Sequence, residues 1–131
     1  MIKRTERGWA GHFVCSDRCK YHRNTLLEYN DLKIIVSTVG AFVNLLKIEP
    51  IGSIDRFYET MAFRARKEDC YWEIDVWNEI EFISNWAICA KSTEDLPIHV
   101  DNLADEMHEN VISEISEMMI NGKIGEQNEP I

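Results

Sequence analysis

The pattern of hydrophobic and polar positions divides this chain into two parts. Up to about residue 90, apolar side chains alternate with polar ones over short runs, which is typical of β-strands. Beyond Pro97, apolar side chains recur at every third or fourth position, which is typical of a helix packed through one face. The sequence therefore predicts an α+β fold in which an antiparallel sheet of about five to seven short strands, connected as hairpins or a meander, is packed by one long C-terminal amphipathic helix.

The clearest turn in the predicted sheet lies at Asn30 and Asp31. These residue types tolerate the positive φ of a tight turn, and the flanking runs 24–29 and 32–39 are strand-like, so the sequence predicts a hairpin. Residues 40–55 fit either a continued strand or a short helix. Further strands are predicted at 57–63, 71–76, 79–83 and 86–90, with a polar turn at 64–69.

One charged residue shares the apolar face of the strand predicted at 57–63. Three apolar side chains occupy alternate positions of this strand, and Glu59 falls among them. Glu59 is one of several carboxylates that a general acid/base or metal site would use with the four histidines, but their spacing supports no particular set. His108 borders the apolar stripe of the predicted helix and is interpreted as a partly buried, hydrogen-bonded residue.

The C-terminal helix is predicted from the spacing of apolar residues between 100 and 118. Asp101 or a neighbour is expected to cap its first turn, and Gly122 is expected to end it as a left-handed residue. The predicted single domain is therefore 1–122, followed by a short polar tail at 123–131.

The composition of the 131-residue chain is that of a protein that folds without disulfides or metals. With 45% apolar residues it can bury a hydrophobic core. No apolar leader is visible, and the most apolar stretch, 34–46, is shorter than the roughly 20 residues that span a bilayer. We therefore expect a cytoplasmic protein with reduced cysteines and no membrane partner.

Charge is distributed unevenly along the chain, whose net charge is −9. Residues 1–67 hold 12 Lys and Arg against 7 Asp and Glu, whereas residues 68–131 hold 2 against 16. The basic N-terminal residues would bind a phosphate-like anion, pair with the acidic half within the fold, or pair with it across a homodimer. The acidity of the whole chain argues against strong non-specific binding of nucleic acid.

The densest group of metal-ligating side chains is the string His12, Cys15, Cys19 and His22. On a helix these four would lie on one face and converge on a metal ion. On a hairpin that turns at 16–18, His12 would pair with His22 and Cys15 with Cys19, and the two pairs would face opposite sides of the sheet. The glycine and aromatic residues of the preceding segment favour the hairpin.

Zinc is the metal that the cysteines would bind if Cys15 and Cys19 met Cys70 or Cys89, which would give a zinc-stapled structural module. The alternative is that the cysteines simply pack. A metal-dependent hydrolase or nuclease would instead use His12, Cys15 and Cys19 beside a carboxylate. The sequence contains no nucleophile with an identifiable partner and no nucleotide-binding or hydrolase motif, which favours a non-enzymatic role without a cofactor.

Two further groups of residues are candidates for binding. Arg7, Trp9, Arg18 and Arg23 combine guanidinium groups with a ring and would bind a small anion, although Trp9 would equally serve as a core residue. The chain also has more aromatic and methionine residues than a small core needs, and some of them would form a patch for homodimerisation or partner binding. These residues are Trp72, Trp77, Phe82, Trp86, Met118 and Met119.

Distinctive strings are spread over most of the chain. They include Arg-Gly-Trp-Ala-Gly-His-Phe-Val-Cys at 7–15, Arg-Asn-Thr-Leu-Leu-Glu-Tyr at 23–29, Tyr-Glu-Thr-Met-Ala-Phe at 58–63 and Asn-Leu-Ala-Asp-Glu-Met-His-Glu at 102–109. In these strings the sequence resembles a set of small uncharacterised proteins encoded by phages, prophages and gut bacteria. The resemblance implies no activity, but it implies a mobile-element setting, in which small acidic proteins often inhibit host systems or sequester host signals.

The function expected from these features is that of a non-enzymatic binding protein of phage or mobile-element type. It would act as a homo-oligomer, with a dimer as the expected form, in the cytoplasm of a bacterial host. Its ligand would be a host protein or a small anionic, nucleotide-like molecule.

Overall fold

The computed structural model describes residues 1–8, 11–12, 18–52 and 55–125. Within these residues an antiparallel sheet is followed by one long helix, which confirms the predicted α+β fold. The hydrogen-bonded strand order is β1-β2-β3-β5-β6, with β4 paired to β3, and with β7 paired to β5 on the same side as β6. The elements are β1 (Lys3–Glu6), β2 (Cys19–Tyr29), β3 (Leu32–Asn44), β4 (Lys47–Glu49), β5 (Arg56–Glu68), β6 (Tyr71–Ile80), β7 (Ala87–Cys89), a 3₁₀ turn (Thr93–Asp95) and α1 (Val100–Ile120).

The hairpin of β2 and β3 has the predicted turn. Tyr29 pairs with Leu32, and Asn30 adopts a φ of 55°. A two-residue hairpin loop with positive φ matches the right-handed twist of the flanking strands. This short turn therefore sets the register of β2 against β3. The register in turn determines which side of the sheet the buried polar residues Thr25 and Thr38 face.

β5 is longer than predicted, because residues 64–68 continue the strand; of the turn predicted at 64–69, only Asp69 lies in a turn. The chain reverses only after Glu68, where Asp69 adopts a φ of 47°. The ammonium group of Lys67 lies 5.0 Å from the ring centroid of Trp72, its cross-strand partner on β6. Cross-strand pairs of this kind stabilise a strand whose own sequence is polar.

Two other segments differ from, or were left open by, the sequence prediction. In the range 40–55, which fitted either a strand or a helix, β3 continues to Asn44 and turns through Leu45 and Leu46 into β4. Both leucines have positive φ and are exposed. Residues 81–83, predicted as a strand, have no regular secondary structure, so the chain leaves the sheet after β6 and returns to it as β7.

The main hydrophobic core lies between one face of the sheet and α1. Apolar side chains of β2, β3 and β5 meet helix residues spaced by three or four positions, as the periodicity predicted. The buried members of this core are Leu27, Leu32, Ile34, Val36, Ala62, Val111, Ile112, Ile115, Met119 and Ile124.

The opposite face of the sheet is also covered. Every residue of β3 from Ile34 to Ala41 is buried, which requires packing on both faces of this central strand. Ile35 packs with Leu26 and Ala65, and further along the strand Val39 packs with Cys19 and Ile51. The polar residues that β3 and β5 place on this second face are therefore largely shielded from water.

The helix ends differ in part from the prediction. His99, in a left-handed conformation, is the N-cap residue, whereas Asp101 lies within the first turn. Gly122 ends the helix with a φ of 75°, as predicted. Ile124 is buried in the main core, so the predicted polar tail at 123–131 begins too early. No helix in the described ranges is long and apolar enough to cross a membrane.

Candidate functional site

A cluster of buried polar side chains joins His12 to two strands on the face opposite α1. The register pairs Val39 with Glu59 and Ser37 with Met61, so Ser37 and Glu59 project from the same face. The ring of His12 lies between them, with Nδ1 2.9 Å from Ser37 Oγ and Nε2 2.8 Å from Glu59 Oε2. The other carboxylate oxygen of Glu59 accepts a hydrogen bond of 2.7 Å from Arg56.

The ionisation state of Glu59 determines which atoms of this cluster carry protons. Burial raises the pKa of Glu59, but the hydrogen bonds from His12 and Arg56 outweigh burial and hold this pKa below its ordinary value. Since an ionised carboxylate only accepts hydrogen bonds, Nε2 of His12 must donate to it. The hydroxyl of Ser37 accepts the backbone N–H of His12 at 3.1 Å and lies within hydrogen-bond distance of Nδ1.

The Ser37–His12–Glu59 arrangement has the residue types of a hydrolytic triad but not its accessibility. Ser37 is 0% exposed, and the side chains of His12 and Glu59 are also buried. A serine nucleophile must be reached by its substrate. The cluster therefore holds the N-terminal segment on the sheet, and we assign it a structural role.

His12 does not pair with His22, so this part of the predicted hairpin was wrong. His22 pairs with Val39 of β3. Gly11 lies over the same strand, where an added Cβ would come within 2.4 Å of Ser37 Oγ. Gly11 and His12 therefore lie on top of β3, because glycine allows this close approach. The predictions made for Cys15 and for the turn at 16–18 fall outside the described residues.

We expect His12 and Ser37 to stabilise the fold as a coupled pair. His12→Ala, Ser37→Ala and the double variant form a double-mutant cycle whose free energies of unfolding can be measured in urea. Because each single change removes the same hydrogen bond, the double variant should lose about 1 kcal/mol less than the sum of the single losses. Additive losses would show that the two side chains do not interact.

A second buried chain of hydrogen bonds runs through His108 on the α1 side of the sheet. Nε2 of His108 lies 2.8 Å from Thr25 Oγ1, which donates to Glu6, and Nδ1 lies 2.7 Å from Thr38 Oγ1, which contacts Thr60. Since Thr25 gives its proton to the carboxylate, it must accept from Nε2–H of His108. Burial lowers the pKa of His108 to about 4, so the imidazole is neutral at neutral pH. His108 is hydrogen-bonded as predicted, but it is fully buried and not partly buried.

Two of the basic N-terminal residues pair with the acidic half of the chain. Arg23 Nη2 lies 3.1 Å from Glu109 Oε2 on α1 and 3.0 Å from Glu6 Oε1, and Arg4 also donates to Glu109. The hydrogen bond from Arg4 is the main cause that lowers the pKa of Glu109 to about 2. Of the alternatives for the basic cluster, pairing within the fold is confirmed for these two arginines.

The three arginines predicted to bind a small anion are not brought to one place. Arg7 donates to the side chain of Asn24 at 2.8 Å. Asn24 and Arg23 are adjacent on β2 and therefore project from opposite faces of the sheet. Arg18 immediately precedes the far end of β2. Trp9 lies outside the described residues.

The cysteines predicted as zinc ligands are also separated where the structure describes them. Cys89 pairs with the first residue of β5, and Cys70 lies in the turn after its last residue. This 13-residue strand spans roughly 40 Å, so one ion cannot contact both. Cys19 is buried in a small apolar cluster, and Cys15 is not described. Among the described residues, no group of three or more His, Cys, Asp or Glu side chains is placed to hold a metal ion.

A bulge in β6 exposes two large apolar side chains. Ala65 of β5 pairs with Ile74 and Phe63 pairs with Glu79, so residues 75–78 have no regular partners on β5. Asp75 closes the bulge by accepting the backbone N–H of Trp77 at 3.1 Å. Val76 is 58% exposed and Trp77 is 91% exposed.

The loop that follows β6 carries two more exposed apolar residues. Ile83 is 94% exposed and Trp86 is 41% exposed. The carboxylate of Glu114 on α1 holds the loop by accepting the backbone N–H of Ser84 at 2.8 Å and that of Ile83. The carbonyl of Trp86 accepts the backbone N–H of Thr60 on β5 at 2.7 Å. These exposed side chains are therefore presented on an anchored loop.

The segment that carries these apolar residues is strongly acidic. Residues 68–90 contain six Asp and Glu and no Lys or Arg. In the described part of the chain, neither Glu79 nor Glu81 forms an ion pair, and both line a cavity together with Trp86. We call this surface the β6 edge; its members are Asp75, Val76, Trp77, Glu79, Glu81, Ile83 and Trp86.

Sequence reasoning identified part of the β6 edge. Trp77 and Trp86 were among the aromatic residues predicted to form a surface patch, whereas Met119 of the same set is in the core. Ile83 was assigned to a strand and its exposure was missed. The sequence feature that could have located this surface is the absence of any lysine or arginine from 68 to 90.

Comparisons of the chain with protein-family models, with curated proteins and with solved structures found no match.

Proposed function

We propose that this protein is a non-enzymatic binding protein that engages a protein partner through the β6 edge. The partner surface it fits is both basic and apolar. In the mobile-element setting that the sequence resemblance implies, this partner is a protein of the bacterial host.

The observation that carries the proposal is the combination of exposure and charge in one segment. Trp77 and Ile83 are almost fully exposed, although burying a large apolar side chain is worth about 1.5 to 3 kcal/mol. Exposed apolar patches that are rimmed by polar residues mark interaction sites, and tryptophan is enriched at binding hot spots. The carboxylates around them select a partner of positive charge.

A small anionic ligand fits the structure less well than a protein partner does. Arg23 pairs with carboxylates of α1, and Arg7 donates to Asn24, so both guanidinium groups already serve the fold. The carboxylates of the β6 edge would repel an anion. A second copy of the chain also fits this edge less well, since a two-fold contact would place like charges against one another.

We expect a selection from a random displayed-peptide library to recover basic peptides when this protein is the bait. Recovered peptides should be enriched in lysine and arginine together with aromatic or aliphatic residues. The double variant Trp77→Ser, Ile83→Ser should bind them at least about tenfold more weakly than the unmodified protein, because it removes the two most exposed apolar anchors. Affinities would be measured by isothermal titration calorimetry.

The matched control is Leu46→Ser, which removes an equally exposed apolar side chain from the β3–β4 turn. This variant should bind the recovered peptides as the unmodified protein does. Selection of acidic peptides, or equal weakening by the control and by the Trp77/Ile83 variant, would contradict the proposed function.

A further inference from the structure

A cavity of about 340 Å³ opens between β5, the end of β6 and the following loop. Its apolar walls are Met61, Phe82 and the partly exposed ring of Trp86. Its charged lining includes Glu79 and Glu81. Cavities of this size with apolar walls and a few polar groups are typical of ligand sites.

The cavity already holds one guanidinium group, that of the chain's own Arg56. The Arg56 Cζ atom lies 4.6 Å from the ring centroid of Trp86, and its Nη1 donates to Glu59 at 2.7 Å. Trp86 and Glu59 therefore hold a cation in a geometry suited to cation–π attraction. Because Glu59 balances the charge of Arg56, Glu79 and Glu81 are left as the carboxylates that face an incoming group.

We propose that this cavity receives the side chain of a lysine or arginine residue from the partner. This inference rests on the proposed function, since the cavity adjoins the β6 edge through Glu79, Glu81 and Trp86. The alkyl part of the side chain packs on Met61 and Phe82, and its cationic end reaches Glu79 and Glu81, while Arg56 stays against the ring of Trp86. Trp77 and Ile83 then cover the apolar residues that flank this basic residue in the partner.

The proposal is tested with a capped hexapeptide of alternating lysine and leucine, titrated into the full-length protein by calorimetry. Glu79→Gln with Glu81→Gln should weaken binding at least about tenfold, because the cation loses both of its uncompensated partners. The control variant, Glu94→Gln with Asp95→Asn, removes the same charge from two exposed carboxylates of the 3₁₀ turn, outside the cavity. It should change the affinity by less than about twofold.

The outcomes separate this proposal from the proposed function. Equal weakening by the two charge variants would show that only the overall charge matters, and no binding of the lysine peptide to the unmodified protein would also overturn the cavity proposal. In both cases the proposed function stands if the Trp77→Ser, Ile83→Ser variant still binds the peptides selected from the library more weakly than the unmodified protein does. Tight binding of spermidine, a free polyamine, at the lysine peptide's affinity would also contradict recognition of a peptide side chain.

Discussion

A Gly40→Ala variant is expected to lose about 3 kcal/mol or more of its free energy of unfolding. A Cβ at position 40 of β3 would come within 2.1 Å of Cδ2 in the ring of Tyr58, on the adjacent strand. That ring has little freedom to move, since Tyr58 is buried and its hydroxyl donates to Asp101 at 2.8 Å. The loss should appear as a lower midpoint of urea unfolding with an unchanged slope.

The matched control for this change is Gly125→Ala. An added Cβ at Gly125 meets no heavy atom within 4 Å, and its backbone has no positive φ that would strain an alanine. This variant should keep the stability of the unmodified protein within about 0.5 kcal/mol. A similarly small loss for Gly40→Ala would mean that β3 and β5 do not approach each other as described.

Protonation linked to His108 alone is expected to lower the free energy of unfolding by about 3 kcal/mol as the pH falls from 6.5 to 4. Burial is the main cause that lowers the pKa of His108 from 6.5 to about 4, and the charge of Arg23 adds to this effect. Between these two pH values the unfolded chain binds a proton at His108 that the folded chain does not bind. Stability is therefore fully present above about pH 6.5 and is lost as the pH falls.

The control for this pH dependence is His108→Gln, which removes the titrating group but can still donate to Thr25. Unfolding by urea would be followed at several pH values for both proteins. The variant should be less stable at neutral pH, and its stability should change less between pH 6.5 and 4 than that of the unmodified protein. The carboxylates with lowered pKa values, Glu6, Glu59, Glu109 and Glu114, also lose stabilisation as the pH falls through the ordinary carboxyl range. They are present in both proteins, so the difference between the two pH profiles reports His108. Parallel pH profiles would contradict the assignment to His108.

Local sequence signals were enough to predict much of the fold. The two-residue turn beginning at Asn30 and the helix that ends at Gly122 were predicted where the structure has them, because each depends on neighbouring residues. The polar stretch that extends β5 was wrongly predicted as a turn, because its stabilising partners, such as Trp72, belong to the next strand. Strand length here is determined by cross-strand pairs that no local pattern displays.

The contacts that build the candidate site are non-local, which explains why spacing alone did not identify them. His12 meets Ser37 and Glu59 at separations of 25 and 47 residues along the chain. The anomalous position of Glu59 on an apolar face was visible in the sequence, but its partner was not. Val76 and Trp77 are neighbours on β6 and yet both are exposed, because the bulge interrupts the alternation of sides in a regular strand.

The central claim, that the β6 edge binds a basic partner, is tested most directly by nuclear magnetic resonance. The ¹⁵N-labelled protein would be titrated with a basic peptide recovered from the library. The indole N–H signals of Trp77 and Trp86 and the backbone signal of Ile83 should shift, while that of Leu46 should not. Shifts confined to α1 or to the β3–β4 turn, with Trp77 and Trp86 unchanged, would contradict the account.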